Sequence, residues 1–381
     1  MKILFIVPSY KPAYIYGGPV VAIARLAEQL VRIGHEVTVY TTTANGKNEL
    51  EVPVGEPVNV DGVSVFYFKR LTKDHTHVSP ALWKHTWATV DQFQAVHIHS
   101  WWNFLILGAS WICNLKGVKP VLSPHGMLCD WVFNSKNSLK KKVLHNAVGK
   151  HLLGNTFLHI SSPMEQEECL RIHGQWDADL IHNLVALPEK QYGRKENAVF
   201  NISFLSRVDP KKGLDILLNA LSGVSFPYKL NIAGSGDDEY VRTLKQIITQ
   251  NKMEENVEWV GWKNNEEKYT FLAESDLFAL TSHNENFAIV VIESLAVGTP
   301  VLVSNNVGLS KYVNDKKLGW VTGIESVDEV RANLTKVYND REERRRISEA
   351  SVGIIRYDFD EARLAEDYIT MYRNSTNKAA V

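Results

Sequence analysis

Two glutamates with seven residues between them, Glu285 and Glu293, form the pattern in this chain with the clearest chemical meaning. The apolar run 277–280 precedes Glu285, and Glu293 lies in the helically spaced apolar segment 289–297. Glu285 should therefore lie at the carboxyl end of a strand, where open α/β sheets bind ligands. Glu293 should lie in the next helix, whose N-terminus favours anions such as phosphates. This combination predicts a sugar-nucleotide site; the alternative is a solvated Glu285 and an incidental helical Glu293.

A basic pair follows another predicted strand, residues 201–205. Arg207 and Lys212 lie in the loop 206–213, which should face the same crevice at the carboxyl edge of the sheet. A guanidinium and an ammonium there could neutralise a diphosphate leaving group without a metal ion. The alternative is an ordinary basic turn in contact with solvent.

Glycines follow two of the predicted strands. Gly17 and Gly18 precede Pro19 and an amphipathic helix, and Gly234 belongs to a partial G-x-G. Paired glycines let backbone amides approach a phosphate closely, but they also serve as simple helix caps. A partial G-x-G does not by itself indicate NAD, and the sequence has no complete G-x-G-x-x-G and no P-loop.

Histidines occur on and after strands of the first half. His125, in Ser-Pro-His-Gly-Met at 123–127, follows a strand and is an active-site candidate; the alternative is a loop histidine bonded to a backbone carbonyl. His97 and His99 alternate along a strand and should face one side. Because the sequence fixes no third ligand near them, we predict no metal site.

The composition indicates a soluble protein of two domains. The 381 residues are 45% apolar and 22% charged with a net charge of −1, so no global field favours nucleic acid. Cys113, Cys129 and Cys169 have neither disulfide nor metal-ligand spacing, which fits a reducing compartment. The apolar run at 1–7 is too short for a signal peptide or a membrane span. These features predict a cytoplasmic protein.

Strand-like and helical segments alternate along the whole chain, which predicts doubly wound parallel sheets. The predicted strands are 3–7, 37–41, 63–68, 96–99, 121–123, 157–160, 201–205, 230–233, 257–260, 277–280 and 301–303. The polar segment 186–197 contains Pro and Gly and predicts a domain boundary. We therefore expect domains at 1–187 and 188–357, followed by a helix at 358–373.

Residues 137–153 can form a basic amphipathic helix with lysines beside its apolar side. That side would consist of Leu139, Val143, Leu144, Ala147 and Val148. Interfacial aromatics could be added by Trp101, Trp102 and Trp131. The pattern fits docking at the inner membrane surface, with a lipid-linked acceptor. The alternative is a surface helix whose apolar face packs into the first domain.

In order and spacing, these motifs resemble those of the retaining nucleotide-sugar glycosyltransferases of family four. The resemblance covers nearly the whole chain. Its motifs are Gly17-Gly18, Ser-Pro-His125-Gly, Ser-Arg207 with Lys211-Lys212-Gly213, and Glu285 to Glu293 followed by Gly298-Thr-Pro300. It implies the GT-B fold, with two doubly wound Rossmann-like domains facing each other across a cleft. The first would take the acceptor and be rejoined by the C-terminal helix, and the second would bind the donor.

The resemblance also implies roles for the charged residues. Arg207 and Lys212 would grip the donor diphosphate and stabilise its departure. Glu293 would bond the ribose hydroxyls, Glu285 would contact the hydroxyls of the donor sugar, and His125 would lie beside that sugar.

Other donor-binding residues follow from the same resemblance, mostly through their backbone atoms. The amides of Phe287 and Ala288 would hold sugar and phosphate, and Gly18 with Gly17 would lie under the phosphates. Trp262 belongs to the segment that would bind the base. Gly234, which follows a strand of the same domain, is also assigned to the donor site.

The chain departs from the family pattern between its two glutamates. Many relatives have Glu-Gly-Phe-Gly, whereas this chain has Glu-Asn286-Phe-Ala288. Asn286 adds a polar side chain near the donor sugar, and Ala288 restricts the backbone. The identity of the sugar therefore stays open.

The activity implied is transfer of a hexose from a UDP-, GDP- or ADP-sugar to a glycan or lipid-linked acceptor, in polysaccharide or glycolipid biosynthesis. It would retain the anomeric configuration and require no metal or other cofactor. Two alternatives are a nucleotide-sugar epimerase of the same architecture and a catalytically inactive nucleotide-sugar binding protein. The pattern of Glu285 and Glu293 argues against the epimerase. The presence of Arg207, Lys212 and both glutamates argues against the inactive binding protein.

Overall fold

The computed structural model describes residues 1–134, 138–174, 176–193 and 197–377. The chain divides into two compact units. The first contains Met1–Leu184 together with the chain from Glu361 onward, and the second is Val185–Asp360. Each unit has a parallel or mainly parallel sheet with helices, so the predicted α/β class is confirmed. In the predicted boundary segment, residues 194–196 lie outside the described part of the chain.

The sheet of the first unit has the strand order β10-β9-β8-β7-β1-β2-β6-β5. Its strands are β1 (Lys2–Ile6), β2 (Glu36–Thr42), β5 (Pro57–Val60), β6 (Val63–Phe68), β7 (Ala95–His99), β8 (Val121–Ser123), β9 (Phe157–Ile160) and β10 (Ala178–Leu180), and a small hairpin pairs β3 (Ala44–Asn45) with β4 (Asn48–Glu49). Neighbouring strands of the large sheet are parallel, except that the edge strand β5 is antiparallel to β6. Apolar runs such as Ile3 to Ile6 are fully buried, as strands covered on both faces require.

The helices of the first unit are α1 (Gly18–Arg32), α2 (Pro80–Thr89), α3 (Phe104–Leu115), α4 (Asp130–Asn134), α5 (Ser138–Leu144), α6 (Lys150–Gly154), α7 (Pro163–His173) and α15 (Glu361–Asn377). An apolar core cluster joins β7 and β8 to α3 and α6 through residues such as Ile98, Leu105, Leu122 and Leu152. Among the described residues, we find no helix long and apolar enough to cross a membrane.

The C-terminal helix α15 belongs to the first unit. Arg25 on α1 makes a two-pronged ion pair with Glu361, with its Nε 2.5 Å and its Nη2 2.9 Å from the carboxylate oxygens. The hydroxyl of Tyr372 lies 2.8 Å from Nδ1 of His97 on β7. The prediction that this helix begins at residue 358 is wrong, because the preceding helix extends through Asp358 and is capped at Phe359.

The segment predicted as one basic amphipathic helix forms α5, a π-helical turn (His145–Gly149) and α6; Asn137 lies outside the described residues. The prediction of a single apolar side is wrong. Leu144 and Val148 pack against the core, whereas Leu139 and Val143 are 74% and 61% exposed. Successive residues of an α-helix are about 100° apart around its axis, so the five residues of the predicted apolar side would cover about half of the helix circumference. That is wider than one buried face.

The second unit has the strand order β13-β12-β11-β14-β15-β16, with every neighbouring pair parallel. These strands are β11 (Phe200–Leu205), β12 (Tyr228–Ala233), β13 (Val257–Gly261), β14 (Leu277–Leu280), β15 (Val301–Ser304) and β16 (Gly319–Thr322). Its helices are α8 (Leu214–Leu221), α9 (Asp238–Gln250), α10 (Asn265–Ala273), α11 (Ile289–Ala296), α12 (Ser310–Asp315), α13 (Val327–Asn339) and α14 (Arg341–Asp358). The strand order reverses between β11 and β14, and such a switch point is where doubly wound sheets bind ligands.

Candidate functional site

The loops that leave β11 and β14 are bonded to each other at the switch point of the second unit. The amide of His283 donates to the carbonyl of Lys211 at 2.9 Å, and the hydroxyl of Thr281 donates to the carbonyl of Gly213 at 2.7 Å. Because the two strands are parallel neighbours, their carboxyl ends meet at one edge of the sheet. The basic loop and the glutamate loop therefore form one structural feature.

Lys212 is positioned by a tight turn at the end of β11. The carboxylate of Asp209 accepts a hydrogen bond from the amide of Lys211 at 2.9 Å, and Gly213 adopts a left-handed conformation with φ 63°. A Cβ at Gly213 would lie 2.0 Å from the carbonyl oxygen of Thr281, so this close approach of two backbones requires glycine. The sequence at 209–213 thus fixes where the Lys212 side chain begins.

The Lys212 ammonium forms an ion pair with Oε2 of Glu285. Their side chains are 13% and 20% exposed, so the pair is largely removed from solvent. The Glu285 backbone is held on both sides, since its amide donates to Asn306 at 2.9 Å and its carbonyl accepts from Gly308 at 2.7 Å. The structure therefore brings together two residues that the sequence analysis assigned to one site.

Residues 286–288 lead from Glu285 into α11. Phe287 is 4% exposed, and its ring centroid lies 6.3 Å from that of Phe359. Ala288 precedes the first helical residue and has φ 66° and ψ 69°, a left-handed conformation that costs an L-residue about 1–2 kcal/mol. The position at which the chain departs from the family pattern thus has the backbone geometry that favours glycine. Asn286 is partly buried in the same turn.

Glu293 is buried in α11, with 7% of the residue exposed. Its Oε1 lies 2.5 Å from the ammonium of Lys268, a residue of α10 that the sequence analysis did not identify. The two residues are 25 positions apart, and no local motif joins them. Only the packing of α10 against α11 reveals that each glutamate of the pattern pairs with a lysine.

The remaining predicted residues of this unit differ in their surroundings. Arg207 is exposed and has no hydrogen bond or ion pair with the described residues. A Cβ at Gly234 would lie 1.9 Å from the carbonyl oxygen of Ser206, so backbone packing alone explains this glycine. Trp262, which follows β13, is 66% exposed.

In the first unit, Gly17 and Gly18 lie between a short 3-10 turn (Tyr14–Tyr16) and α1. Gly17 has φ 74° and occupies the N-cap position, whereas Gly18 is the first helical residue and Pro19 follows in the first turn. A side chain at Gly17 would meet no atom within 4 Å, so its conformation rather than space favours glycine. The amides of α1 begin at this turn, as the sequence analysis expected.

His125 lies in the loop after β8 with φ 50°, a left-handed conformation that is uncommon for a residue with a side chain. Its Nε2 is 3.0 Å from Nδ1 of His99, so the ring has a histidine partner rather than the backbone carbonyl of the alternative interpretation. Burial lowers the pKa of His125 to about 4, so the imidazole is neutral at pH 7.

The His125 loop is anchored by Glu165, which the sequence analysis also missed. This residue is 2% exposed; its Oε1 accepts from the amide of Gly126 at 2.8 Å, and its Oε2 accepts from the amide and hydroxyl of Ser161 at 2.9 Å. Glu165 and Gly126 are 39 residues apart, which hides their contact in the sequence.

A chain of neutral imidazoles connects the sheet to α15. Burial lowers the pKa of His97 well below its ordinary value. Burial also lowers the pKa of His159, in this case to about 3. His159 donates from Nε2 to the carbonyl of Ile181 at 2.9 Å, so its Nδ1 accepts from the Ser123 hydroxyl at 2.6 Å. Ser123 then accepts from Nε2 of His97 at 2.6 Å, and Nδ1 of His97 accepts from Tyr372. These histidines are satisfied by hydrogen bonds.

The rings of His97 and His99 lie side by side, with centroids 4.0 Å apart. Even so, over the described ranges no group of three or more His, Cys, Asp or Glu side chains is arranged to hold a metal ion. His99 and His125 form a pair rather than a ligand set.

Two family models match the chain, one in each unit. The model described as "Glycosyl transferase 4-like domain" matches residues 17–183, and the model described as "Glycosyl transferases group 1" matches residues 189–352. The two matches follow the division of the chain into units.

Individual proteins resemble the chain along nearly its full length. An uncharacterized glycosyltransferase of Methanocaldococcus jannaschii, MJ1607, is 26% identical over 373 residues, which covers 89% of this chain and 90% of that protein. Sucrose-phosphate synthase from Thermosynechococcus elongatus superposes with a TM-score of 0.77 at 16% identity, covering 98% of this chain and 99% of its own. Anabaena HepE, solved in complex with UDP and glucose, superposes with a TM-score of 0.71 at 20% identity, covering 98% of this chain and 100% of its own. At such identities the structural likeness concerns the fold.

Proposed function

Because this chain belongs to the GT4-type glycosyltransferases and has their GT-B fold, we propose that it transfers a hexose from a nucleoside diphosphate sugar to a glycan or lipid-linked acceptor, with retention of anomeric configuration. The observation that supports this most strongly is the Lys212–Glu285 ion pair at the β11/β14 switch point. It joins a cation suited to a diphosphate with a carboxylate suited to sugar hydroxyls. Glu293 follows on the adjacent helix.

The donor would bind along these loops of the second unit. Lys212 and Arg207 take the diphosphate, Glu285 takes hydroxyls of the transferred sugar, and Glu293 takes the ribose hydroxyls. The exposure of Arg207 supports a role in which its partner is a ligand. The first amides of α11, next to Phe287 and Ala288, add donors and a favourable helix dipole.

The donor nucleotide is a nucleoside diphosphate in this proposal, with UDP as the first candidate. HepE, which has the same fold, was solved with UDP and glucose. Exposed Trp262, at the end of β13, offers an aromatic surface for a base, and Gly234 allows the neighbouring loop to approach closely. Gly17 and Gly18 would contribute amides toward the phosphates from the first unit. GDP- and ADP-sugars are the other candidates.

The proposed reaction proceeds on one face of the sugar and without a metal or other cofactor. The acceptor hydroxyl attacks the anomeric carbon from the side that the diphosphate leaves, and an oxygen of the leaving group takes its proton. Arg207, Lys212 and the α11 dipole stabilise the negative charge that develops on the leaving group. The proposal assigns His125 to the transferred sugar as a neutral imidazole, which can donate or accept a hydrogen bond without adding charge.

The acceptor in this proposal is held by the first unit, with the protein in the cytoplasm and peripheral at the inner membrane surface. Leu139 and Val143 on α5 are exposed beside Lys140 and Lys142, and Trp131 on α4 is 49% exposed. Exposed apolar residues among lysines suit an anionic lipid surface and a lipid-linked glycan. Nucleic acid is not expected as a partner, given the net charge of −1.

Liposome co-sedimentation at low salt tests the membrane part of the proposal. The wild type should sediment with vesicles that contain anionic phosphatidylglycerol and much less with neutral phosphatidylcholine. The double variant Leu139→Ser, Val143→Ser should lose most of this binding, whereas Leu71→Ser, which changes another residue that is 74% exposed, should not. Wild-type protein that remains in the supernatant with anionic vesicles would refute membrane docking.

Incubation with a panel of UDP-, GDP- and ADP-hexoses tests the main proposal against its two alternatives. A glycosyltransferase releases nucleoside diphosphate, slowly by hydrolysis or faster when a glycan acceptor is added. An epimerase isomerises the sugar without releasing nucleotide, and an inactive binding protein shows only a thermal shift. We expect release of nucleoside diphosphate from one member of the panel, and its absence from every reaction would refute the proposal.

A further inference from the structure

From the contact between α10 and α11 we infer that Lys268 is a positioning residue of the donor site. Its ammonium holds one oxygen of Glu293, so that the other oxygen is presented to the ribose hydroxyls of the donor. This inference rests on the proposed function, in which Glu293 binds the ribose, and adds a residue that no motif identifies.

The geometry of the pair supports the inference directly. Nζ of Lys268 lies 2.5 Å from Oε1 of Glu293, and the two side chains are 20% and 9% exposed. Among the described residues, none donates a hydrogen bond to Oε2 of Glu293. A carboxylate accepts through both oxygens, so the occupation of Oε1 leaves Oε2 as the acceptor for a ligand.

The lysine is itself held in place. Helix α10 begins with a capping box between Asn264 and Glu267, and the amide of Lys268 donates to the carbonyl of Asn264 at 2.8 Å. The ammonium also lies 4.9 Å from the ring centroid of Tyr269, and the hydroxyl of that tyrosine donates to the carbonyl of Ala186. A lysine with a fixed backbone and a ring beside its ammonium loses little freedom when it holds Glu293.

The same arrangement occurs at the other carboxylate of the pattern. Lys212, from the turn after β11, pairs with Glu285, and Lys268, from α10, pairs with Glu293. Each carboxylate is thereby neutralised before an anionic diphosphate arrives, which removes a repulsion that two unpaired carboxylates would impose. Lys268 does this at the ribose end, where its effect should depend on the ribose hydroxyls.

That dependence separates positioning from a general effect of positive charge. If Lys268 acted only through its positive charge, removing that charge would weaken the binding of a nucleoside diphosphate and of its 2′-deoxy form equally. Loss of positioning would weaken mainly the form that has both hydroxyls. The ratio of the two dissociation constants is therefore the informative quantity.

The experiment measures by calorimetry the binding of UDP, GDP, ADP and their 2′-deoxy forms to the full chain, and follows the diphosphate that binds best. The wild type should prefer the ribose form by about tenfold, as a hydrogen bond to a charged group predicts. Lys268→Met should weaken that form by about tenfold and reduce the preference below about threefold. Lys268→Arg should keep most of the preference for the ribose form. Lys245→Met, on the exposed face of α9, should change neither the affinity for the ribose form nor this preference.

The preference of Lys268→Met for the ribose form decides whether Lys268 positions Glu293. An unchanged preference in Lys268→Met, or equal weakening of both forms, would overturn the inference. If no nucleoside diphosphate binds to the wild type, the proposed function itself fails, which is a different result. Thermal unfolding of each variant checks folding. If Lys268→Met does not fold, Lys268→Gln, whose side chain is polar, uncharged and one atom shorter than that of lysine, must show the same reduced preference.

Discussion

Replacing Ala288 by glycine should leave the free energy of unfolding within about 0.5 kcal/mol of the wild-type value. This is unusual for a buried alanine, since Ala288 is 7% exposed. The reason is its left-handed conformation, with φ 66°. Substitution by glycine relieves about 1–2 kcal/mol of backbone strain. It also adds about 0.5–1 kcal/mol of chain entropy to the unfolded state and removes about 0.8 kcal/mol of methyl burial, so the effects nearly cancel.

Ala296→Gly is the matched control, because Ala296 lies in helix α11, which Ala288 caps, and is 4% exposed. Its backbone is helical, so glycine relieves no strain there. The lost helix propensity of about 1 kcal/mol and the lost methyl burial should together destabilise this variant by about 1.5–2 kcal/mol. The predicted quantity is therefore a difference of about 1–2 kcal/mol between two Ala→Gly changes, one at the N-cap of α11 and one within that helix.

Urea unfolding followed by tryptophan fluorescence measures this difference, with both variants compared in the transition of the second unit. The denaturant slope should stay equal to that of the wild type, so that midpoints report stability. If Ala288→Gly destabilises the protein as much as Ala296→Gly does, residue 288 is not strained, and the explanation of why this position favours glycine is wrong.

Three further predictions concern the loops and the histidine network. Arg207→Ala should reduce sugar transfer at least about hundredfold, because it removes a hydrogen-bond donor to the charge that develops on the leaving diphosphate. The thermal unfolding midpoint of this variant should stay unchanged, and near wild-type turnover would exclude the proposed role of Arg207. The free energy of unfolding should fall as pH drops from about 6.5 to 4, because the unfolded state then binds more protons than the native state. The fall should reach up to about 1.4 kcal/mol per pH unit for each histidine whose native pKa is lowered. In urea titrations at several pH values, the unfolding free energy of His159→Gln should depend less steeply on pH than that of the wild type, and an equal dependence would contradict the prediction. Glu165→Ala should destabilise the first unit by about 2–3 kcal/mol, because it leaves buried donors such as the Ser161 amide unpaired. Exposed Glu167→Ala should have little effect on the melting temperature, and equal effects of the two substitutions would contradict the anchoring role of Glu165.

The fold was predictable because central strands and amphipathic helices carry strong patterns. Strands such as Val63–Phe68 and Leu277–Leu280 have the predicted bounds, since their apolar residues are buried by neighbours on both sides. The strands missed were at sheet edges, where burial is incomplete. Ala178–Leu180 and Pro57–Val60 are partly exposed and carry no continuous apolar run.

The site was predictable where chemistry lies on loops at strand ends. Parallel neighbours bring such loops to one edge, which is why Lys212 and Glu285 meet although they are 73 residues apart. Lys268, Glu165 and the pairing of His99 with His125 were missed because tertiary packing alone selects these partners, at separations of 25, 39 and 26 residues. No periodicity or motif encodes such contacts. The exposure of Leu139 was likewise decided by which side of its helix meets the core.

The roles of the two glutamates are tested most directly by UDP binding and donor turnover in Glu285→Gln and Glu293→Gln. UDP carries the ribose but not the transferred sugar, so UDP binding should weaken by about tenfold in Glu293→Gln only. Glu285→Gln should bind UDP as well as the wild type does, or more tightly because Lys212 is released to the diphosphate. Its turnover of the donor should nevertheless fall at least about hundredfold. UDP binding that is lost in Glu285→Gln and kept in Glu293→Gln would contradict the division of roles between the two glutamates.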